Sequence, residues 1–496
     1  MTRKTRQSKY SHGSAVDEGK YIMQINRNMS AVIANNQLLG IEDRLSASIE
    51  RLSSGLKINR ASDNPAGMAI SNKMKAQIDA LDQADANAAD GISVVQIADG
   101  ALNEVSSILQ RIRELSVQAA NGINSFNDRQ SMQDEVDELV KEVDRISADT
   151  EYNTKKLLDG SSNVRVYGEN GSRYQVSDSV DAKVYSLNVE SVATQATVGL
   201  AYEVPQADGI LDINGVSVSI TEGMDKESYL QVVRDAAAEG GCSVEISEDG
   251  SQMLILSDYY GYDEEITVSM TEDLARAAGI ISHADCQYVE DERSYKVHTT
   301  GVDAVVTIPT ELEASGFTTT TTVECNGNRV VVSDNDGFSI DFLLNAEYKP
   351  TADVANGNFE IDVTDIGSLT IQIGANEYQT MDVRIDEISA YTLYLDSVDI
   401  AIENGADRAM GTLDEAIAKV SAARSRIGAF QNRLEYAEKS LSSSVENITA
   451  AYSGLLDTDM AEEMTEYTQQ NILNQAAISV LSQANELPQQ ILSMLQ

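Results

Sequence analysis

The side chains of this 496-residue chain best suited to metal or thiol chemistry are Cys242, Cys286 and Cys325, with His12, His283 and His298. His283 and Cys286 lie close enough in sequence to share a zinc ion, but so few histidines would need carboxylates to complete a tetrahedral shell. Ordinary burial or exposure is the reading these residues receive, with no metal and no cofactor. An odd number of widely spaced, central cysteines also excludes a disulfide framework as the main staple. No His-Glu-x-x-His, Walker A loop or Gly-x-Ser-x-Gly elbow occurs, so zinc-protease, nucleotide and serine-hydrolase chemistry have no foothold and the chain is not read as an enzyme. The run Thr318 to Thr322 behind Gly316-Phe317 is either an exposed loop open to O-linked sugar or a plain strand, since threonine favours strands.

Charge narrows the partners. Asp and Glu number 79 against 36 Lys and Arg, a net charge of -43 and a pI of about 4.2, which makes nucleic acid or an anionic membrane a poor partner. No run approaches the roughly 20 apolar residues of a membrane helix. The first residues are basic (Arg3, Lys4, Arg6, Lys9), yet they are not succeeded by the apolar stretch that a cleavable secretory signal requires.

The elements fall into helices, strands and helices again. Apolar residues at Ile41, Leu45, Ile49, Leu52 and Leu56 are spaced by three or four and form one helical stripe. The stripe returns through Val94, Ile97, Ala101, Val105, Ile108, Ile112 and Leu115, and through Val136, Leu139, Val143 and Ile146, as long coiled-coil-like seams. Leu441, Val445, Ile448, Tyr452 and Leu455 repeat it near the other end, and residues 472–495 form a further apolar helix carrying Ile472, Ile478, Leu481, Leu487 and Leu492. Between these arms, residues 161–366 alternate as strands do at 210–220, 252–257, 265–269, 328–334 and 338–344. That stretch carries 37 Asp and Glu against 10 Lys and Arg. Residues 369–373 and 381–385 alternate around Gly-Ala-Asn-Glu as a hairpin, after which the helical pattern resumes. The predicted fold is α+β: a long antiparallel coiled-coil bundle of the two terminal arms, with a β-rich domain inserted between them.

One break in the first arm needs a reason. Gly55, Ile58 and Asn59 interrupt a good helix, and Asn64-Pro65 restart it. Asn64 can cap a new helix whose first residue is Pro65, where a missing N–H costs nothing. Gly55, Asn59, Asn64 and Pro65 are therefore read as a joint between two helical segments.

The stretches IERLSSGLKINRASDNPAGMAI (49–70), ANAADGISVVQIADGALNEVSSILQRIRELSVQAANG (86–122) and EYNTKKLLDG (151–160) resemble the N-terminal arm of bacterial flagellin. GAFQNRLEYA (428–437), DTDMAEEM (457–464) and residues 472–496 resemble its C-terminal arm. The resemblance covers about 23–160 and 367–496. It implies a filament subunit in which 23–64 and 457–496 build an inner tube, 65–160 and 367–456 a helical rod, and 161–366 an outward domain. Within that domain about 205–270 resembles a hook IN module, although Arg234-Asp235 stand where its naming pair is expected. The resemblance further implies an exported, extracellular flagellar protein that passes the flagellar type III channel without a cleavable signal. Its implied partners are other copies of itself, an export chaperone at the C-terminal arm, the filament cap and hook-junction proteins, and the flagellin-sensing Toll-like receptor of animal hosts. The motif LQRIRELSVQ (109–118) points to Arg111 and Leu115 for that receptor, with Glu135 and Arg433. A hook-filament junction protein is the alternative reading.

Two departures stand out. Residues 1–22 lie outside the family pattern, and a purine-rich codon run at Glu18-Gly19 makes Met23 the expected native start. Where flagellins carry Ser-Arg-Ile-Arg-Asp, this chain has Ser453-Gly454-Leu455-Leu456-Asp457, so a more apolar contact is expected there. From side-chain content alone, ordering residues 471–496 costs more than burying their apolar groups returns. That arm is expected to be disordered alone and to fold when neighbouring copies cover it.

Overall fold

The computed structural model describes residues 28–494 except 178, 248, 283, 284, 291, 292, 310–314, 351–357 and 403. The extension 1–22, Met23, His12 and His283 thus lie outside the described residues. The chain divides into two compact units, residues 1–80 with 443–496 and residues 81–442. The helices described in full are α1 (Met29–Ser54), α2 (Pro65–Ala119), α3 (Phe126–Asp149), α4 (Lys226–Glu239), α5 (Glu272–Ala277), α6 (Gly405–Leu456) and α7 (Met460–Met494).

In the first unit α1 runs antiparallel to α7, accompanied by the start of α2 and the end of α6. The second unit contains a three-helix bundle of α3 with the remainder of α2 and α6. Ser125 starts α3 by a capping box with Asp128, whose carboxyl is held below its usual range by that serine's hydroxyl and N–H. Val95, Ala98, Leu102, Val105, Leu109 and Ile112 are fully buried, and their alternating steps of three and four make one continuous seam. Opposite them lie Leu413, Ala416, Val420, Ile427 and Leu434, with Val136 and Val143 from α3. Two ion pairs fix the antiparallel register, Arg113 with Asp414 at 2.7 Å and Arg424 with Asp99 at 3.0 Å.

The hairpin pairs Leu369–Gln372 with Thr380–Val383 and lays Ile371 against α2 at Gly91, where an added Cβ would stand 2.6 Å from Ile371 Cδ1. The segment beyond this hairpin departs from the expectation of an immediate helix. No α-helix resumes among the described residues until Gly405; 386–402 is irregular, with one short turn of 3₁₀ helix at Leu395–Ser397. Its Ile388, Ala390, Leu393, Leu395, Val398 and Ile400 are all buried in the bundle core. Buried residues spaced by two and three, without helical period, let this turn-rich strip seal the seam as a strap.

The insertion holds two cores, one nested in the other. The first is a sandwich of two four-stranded sheets. One has the order Val305–Thr307, Val184–Ser191, Phe359–Thr364, Arg165–Gly168, and the other Thr322–Asn326, Arg329–Ser333, Ser339–Leu344, Gly171–Val176. Phe342 and Phe359 stack across it, ring centroids 5.1 Å apart. The second core spans Ala196 to Val297, wider than the 205–270 module expected, because strands Thr197–Ala201 and Ser294–Thr300 complete its sheets. It also contains α4 and α5. Residues 210–220 form a hairpin here rather than one strand, because Asn214 (φ 49°) and Gly215 (φ 92°) make the two-residue turn. The nested core joins the sandwich at one neck. Thr194 and Val302 exchange hydrogen bonds of 2.9 and 3.1 Å, while Asp303 Oδ1 accepts from the N–H groups of Tyr262 and Gly327.

All three cysteines are free. Burial pushes the Cys242 thiol up to about 12, and Asn214 Nδ2 donates to its sulfur at 3.4 Å. Thr318 to Thr321 form a turn in which Thr318, Thr319 and Thr320 are exposed, and Thr322 opens a strand. The hydroxyls of Thr318 and Thr320 donate to Asp334.

Candidate assembly surface

The pairing of α1 with α7 places few large side chains inside. In the described part of the first unit the buried apolar residues are Ala34, Ile58, Ile78, Leu456 and Ala484, joined by the polar Ser48, Ser71, Glu463 and Gln470. All three large hydrophobic clusters belong to the other unit. Small and polar residues therefore make this seam, and two of its buried polar atoms, Ser48 Oγ and Gln470 Oε1, have no partner. Leu38, Ile41, Leu45, Leu52 and Leu481 are only half-buried along it, and many other large apolar side chains point away. Met29, Val32, Ile33, Leu39 and Ile49 on α1, and Met464, Ile472, Ile478, Val480 and Leu487 on α7, are exposed. Met464, Ile472 and Leu473 line an apolar groove with Thr465, Thr468 and Gln469.

Of the seam residues expected from sequence, Leu45, Leu52, Leu56 and Leu481 are half-buried, while Ile49, Ile472, Ile478 and Leu487 are exposed. The side chain of Leu492 lies outside the described residues. Periodicity marks an apolar face, and it does not say whether the same chain or another one covers it.

Polar contacts pin the pair at both ends. Pro488 sits inside α7 and cannot donate to the carbonyl of Ala484. Asn28 Nδ2 donates to that carbonyl at 2.7 Å, and Asn28 Oδ1 caps α1 by accepting from Ala31 N–H. Near the other end Arg51 Nη1 meets both oxygens of the buried Glu463 carboxylate at 3.0 and 3.1 Å. Asn28→Asp keeps the cap but sets a carboxylate against the Ala484 carbonyl. Amides of 29–34 and 484–490 should then lose about tenfold in hydrogen-exchange protection in the polymer, a single hydrogen bond's worth. Unchanged protection would mean the contact carries no weight.

The joint is double. α1 ends at Gly55 (φ 73°), whose N–H returns to Arg51. Asn59 and Arg60 donate their N–H groups to Asp63, and these bonds, Arg60's first, hold the Asp63 carboxyl below its usual range. Asn64 Oδ1 then accepts from Gly67 N–H at 2.9 Å as Pro65 opens α2. Ile58 packs onto Gly67, where a Cβ would lie 2.6 Å from its Cδ1. The C-terminal arm breaks at the same level. α6 ends at Leu456, Asp459 caps α7 through the N–H groups of Ala461 and Glu462, and a short antiparallel bridge joins the two breaks. Lys57 N–H donates to Leu456 O at 2.6 Å and Thr458 N–H to Gly55 O at 2.9 Å. Leu456, one of the apolar departures, is buried; Gly454 faces open space.

In the second unit, Arg111 grips Glu135 Oε1 at 2.8 and 3.0 Å and Glu114 at 3.2 Å on the outside of the bundle. These acids raise the Arg111 pKa, Glu135 foremost. Arg433 is exposed, its guanidinium 5.8 Å from the Phe430 ring. Leu115 departs from the sequence expectation. It is 2% exposed inside the core, because the position falls on the buried side of the seam, so it seats the helix and presents no contact surface. Among the described residues no group of three or more His, Cys, Asp or Glu is placed to hold a metal ion, and no helix is long and apolar enough to cross a membrane.

Comparison with known proteins gives this arrangement its relatives. The family model described as the bacterial flagellin N-terminal helical region matches residues 25–163, and that of the bacterial flagellin C-terminal helical region matches 410–495. A flagellin of Clostridium tyrobutyricum is 33% identical over 94% of this chain and 100% of its own length. Flagellin D of Vibrio anguillarum is 31% identical over 95% of this chain and 99% of its own. A flagellar hook associated protein-3 of Legionella pneumophila is far more distant, 13% identical with a TM-score of 0.29 over 77% of this chain and 98% of that one.

Proposed function

Because this chain belongs to the bacterial flagellins, it is a structural subunit of the extracellular flagellar filament and not an enzyme, and we propose that α1 and α7 complete their fold only against other copies. The observation that carries this reading is the thin seam of the lone pair: its fully buried residues are small or polar, large ones such as Leu45, Leu52 and Leu481 are only half-buried, and further large apolar side chains stand exposed. A pair so poor in buried apolar area cannot offset the cost of ordering its backbone. Monomers stay dispersed because these helices are unformed, and folding coincides with addition to the filament end. Hydrogen exchange on monomer and filament tests this: fast exchange at 29–50 and 471–494 in the monomer and protection in the filament is the expected result. Strong protection in the monomer overturns it. Elongation of filaments from seeds by the purified chain separates this role from that of a hook-filament junction protein.

The same exposed helices suit an export chaperone, which would cover α7 before secretion, and the filament cap and hook-junction proteins, which would meet it afterwards. Passage through the type III channel without a cleavable signal fits a chain whose arms are unfolded before assembly. The segment at about 205–270 resembles a hook IN module in its alternating strands, and Thr319, exposed beside the Asp334-bound hydroxyls, is open to O-linked sugar. Host recognition by the flagellin-sensing Toll-like receptor rests on Arg111, Glu135 and Arg433. Arg111→Ala removes both arms of an exposed ion-pair cluster and should weaken receptor binding by about tenfold with no change in bundle melting. Unchanged affinity in a surface-binding assay counts against the assignment.

A further inference from the structure

One cleft of the second unit has a volume of about 870 Å³, within the range of small-ligand sites. It lies where strands Arg165–Gly168 and Gly171–Val176, the last strands of the two sandwich sheets, face the strap at 386–393 and the α6 residues Lys419, Ala422 and Arg426. Its charge is unlike that of its surroundings. Across 161–366 carboxylates outnumber cations 37 to 10, yet four carboxylates and four cations line the cleft. Most are already paired: Arg173 with Asp396 at 2.5 Å, Lys419 with Asp341 at 3.0 Å, and Arg426 with Asp386. An ionic ligand gains little from such a lining, while the fixed pairs hold donors and acceptors in place without further ordering cost.

Two of the tyrosines that line the cleft are exposed. Tyr167 is 53% exposed on its edge strand. Tyr391 is held by the Arg173 guanidinium, 4.0 Å from its ring centroid, and keeps nearly half its surface in solvent. Glu387, half-buried and bonded by Ser389, lies against Gly160 in the lining. Burial raises its pKa, with the Asp159 charge adding to the effect. Flat rings with polar tips beside rigid, charge-balanced hydrogen-bonding groups suit a ligand that is uncharged, rich in hydroxyls and apolar on one face.

We propose that this cleft binds a short uncharged saccharide, stacked on Tyr167 and hydrogen-bonded by the paired groups of its walls. The test uses the purified full chain, with cellobiose, maltose and chitobiose as probes and a sulfated disaccharide as the charged comparison, read by saturation-transfer and chemical-shift titration. At least one neutral disaccharide should bind with a Kd below about 10 mM, and Tyr167→Ala should weaken it by about tenfold. Tyr378→Ala, which removes a ring that is 87% exposed in the hairpin turn, should leave affinity unchanged. Because Tyr167 is a surface residue, its loss leaves the fold intact, which the melting midpoint verifies. Absence of binding by all three sugars, affinity unaffected by Tyr167→Ala, or preference for the sulfated sugar overturns the proposal.

Discussion

Replacing Asp341 by alanine will lower the melting midpoint of the second unit by about 4 °C, a loss of about 3 kcal/mol. Asp341 is buried on its strand between Arg329, whose nitrogens lie 2.8 and 3.1 Å away, and Lys419 at 3.0 Å. Arg329 also reaches Glu415, and the Tyr394 ring has the cationic groups of Arg173, Arg329 and Lys419 at 4.7, 4.8 and 5.1 Å from its centroid. Removing the carboxylate leaves two largely buried cations facing each other, with Glu415 bonded to Arg329 alone. Burial by itself would raise the Asp341 carboxyl, but the hydrogen bonds from Arg329 and the Lys419 charge outweigh it and leave the group below its ordinary value. A carboxyl depressed in the folded state stabilises fully above the unfolded value of about 3.9, and that stabilisation is lost as pH falls below it through the folded value. Calorimetry of the parent chain and of Asp341→Ala from pH 7 to pH 3 should therefore show midpoints that differ at neutrality and converge in acid. A constant difference across that range would place the loss elsewhere.

The second large effect is on assembly. Ile478→Asp puts a charge on a side chain that is half-exposed in the single chain, so the monomer should keep its melting profile and solubility. In the filament the same charge would be enclosed without a partner, at a cost of about 3 to 4 kcal/mol per subunit contact. The critical concentration for elongation from seeds should then rise by roughly two to three orders of magnitude. Ile78→Asp gives the contrast, because Ile78 is buried within the single chain and its loss should disturb the monomer. Normal elongation by Ile478→Asp would show that this face of α7 is not the one other copies cover.

Legible in the sequence was whatever repeats locally. The stripe from Val94 to Leu115 announced a helix, although its buried seam is centred beside that stripe, through Val95, Ala98, Leu102 and Leu109, and leaves Ile97 exposed. The alternation on either side of Gly-Ala-Asn-Glu announced the hairpin, and Asn64-Pro65 announced a helix start. The family resemblance then named the assembly. Features set by distant partners stayed hidden. Nothing near Pro488 says that Asn28 fills the carbonyl it vacates, and nothing near Asp341 reveals Lys419 beside it. The strap at 386–402 imitates a helix in composition but not in period, and its apolar residues are fixed by the bundle it closes. Leu115 and Ile478 look alike in an apolar stripe. Only the fold shows one shut inside the bundle and the other left open.

The neck has a practical meaning for engineering. Thr194 and Val302 are hydrogen-bonded neighbours, so the cut ends left by excising everything between them already touch. A brief glycine-containing turn could bridge them, and a foreign domain with adjacent termini could be grafted in the same place, carried as cargo on every copy of the polymer.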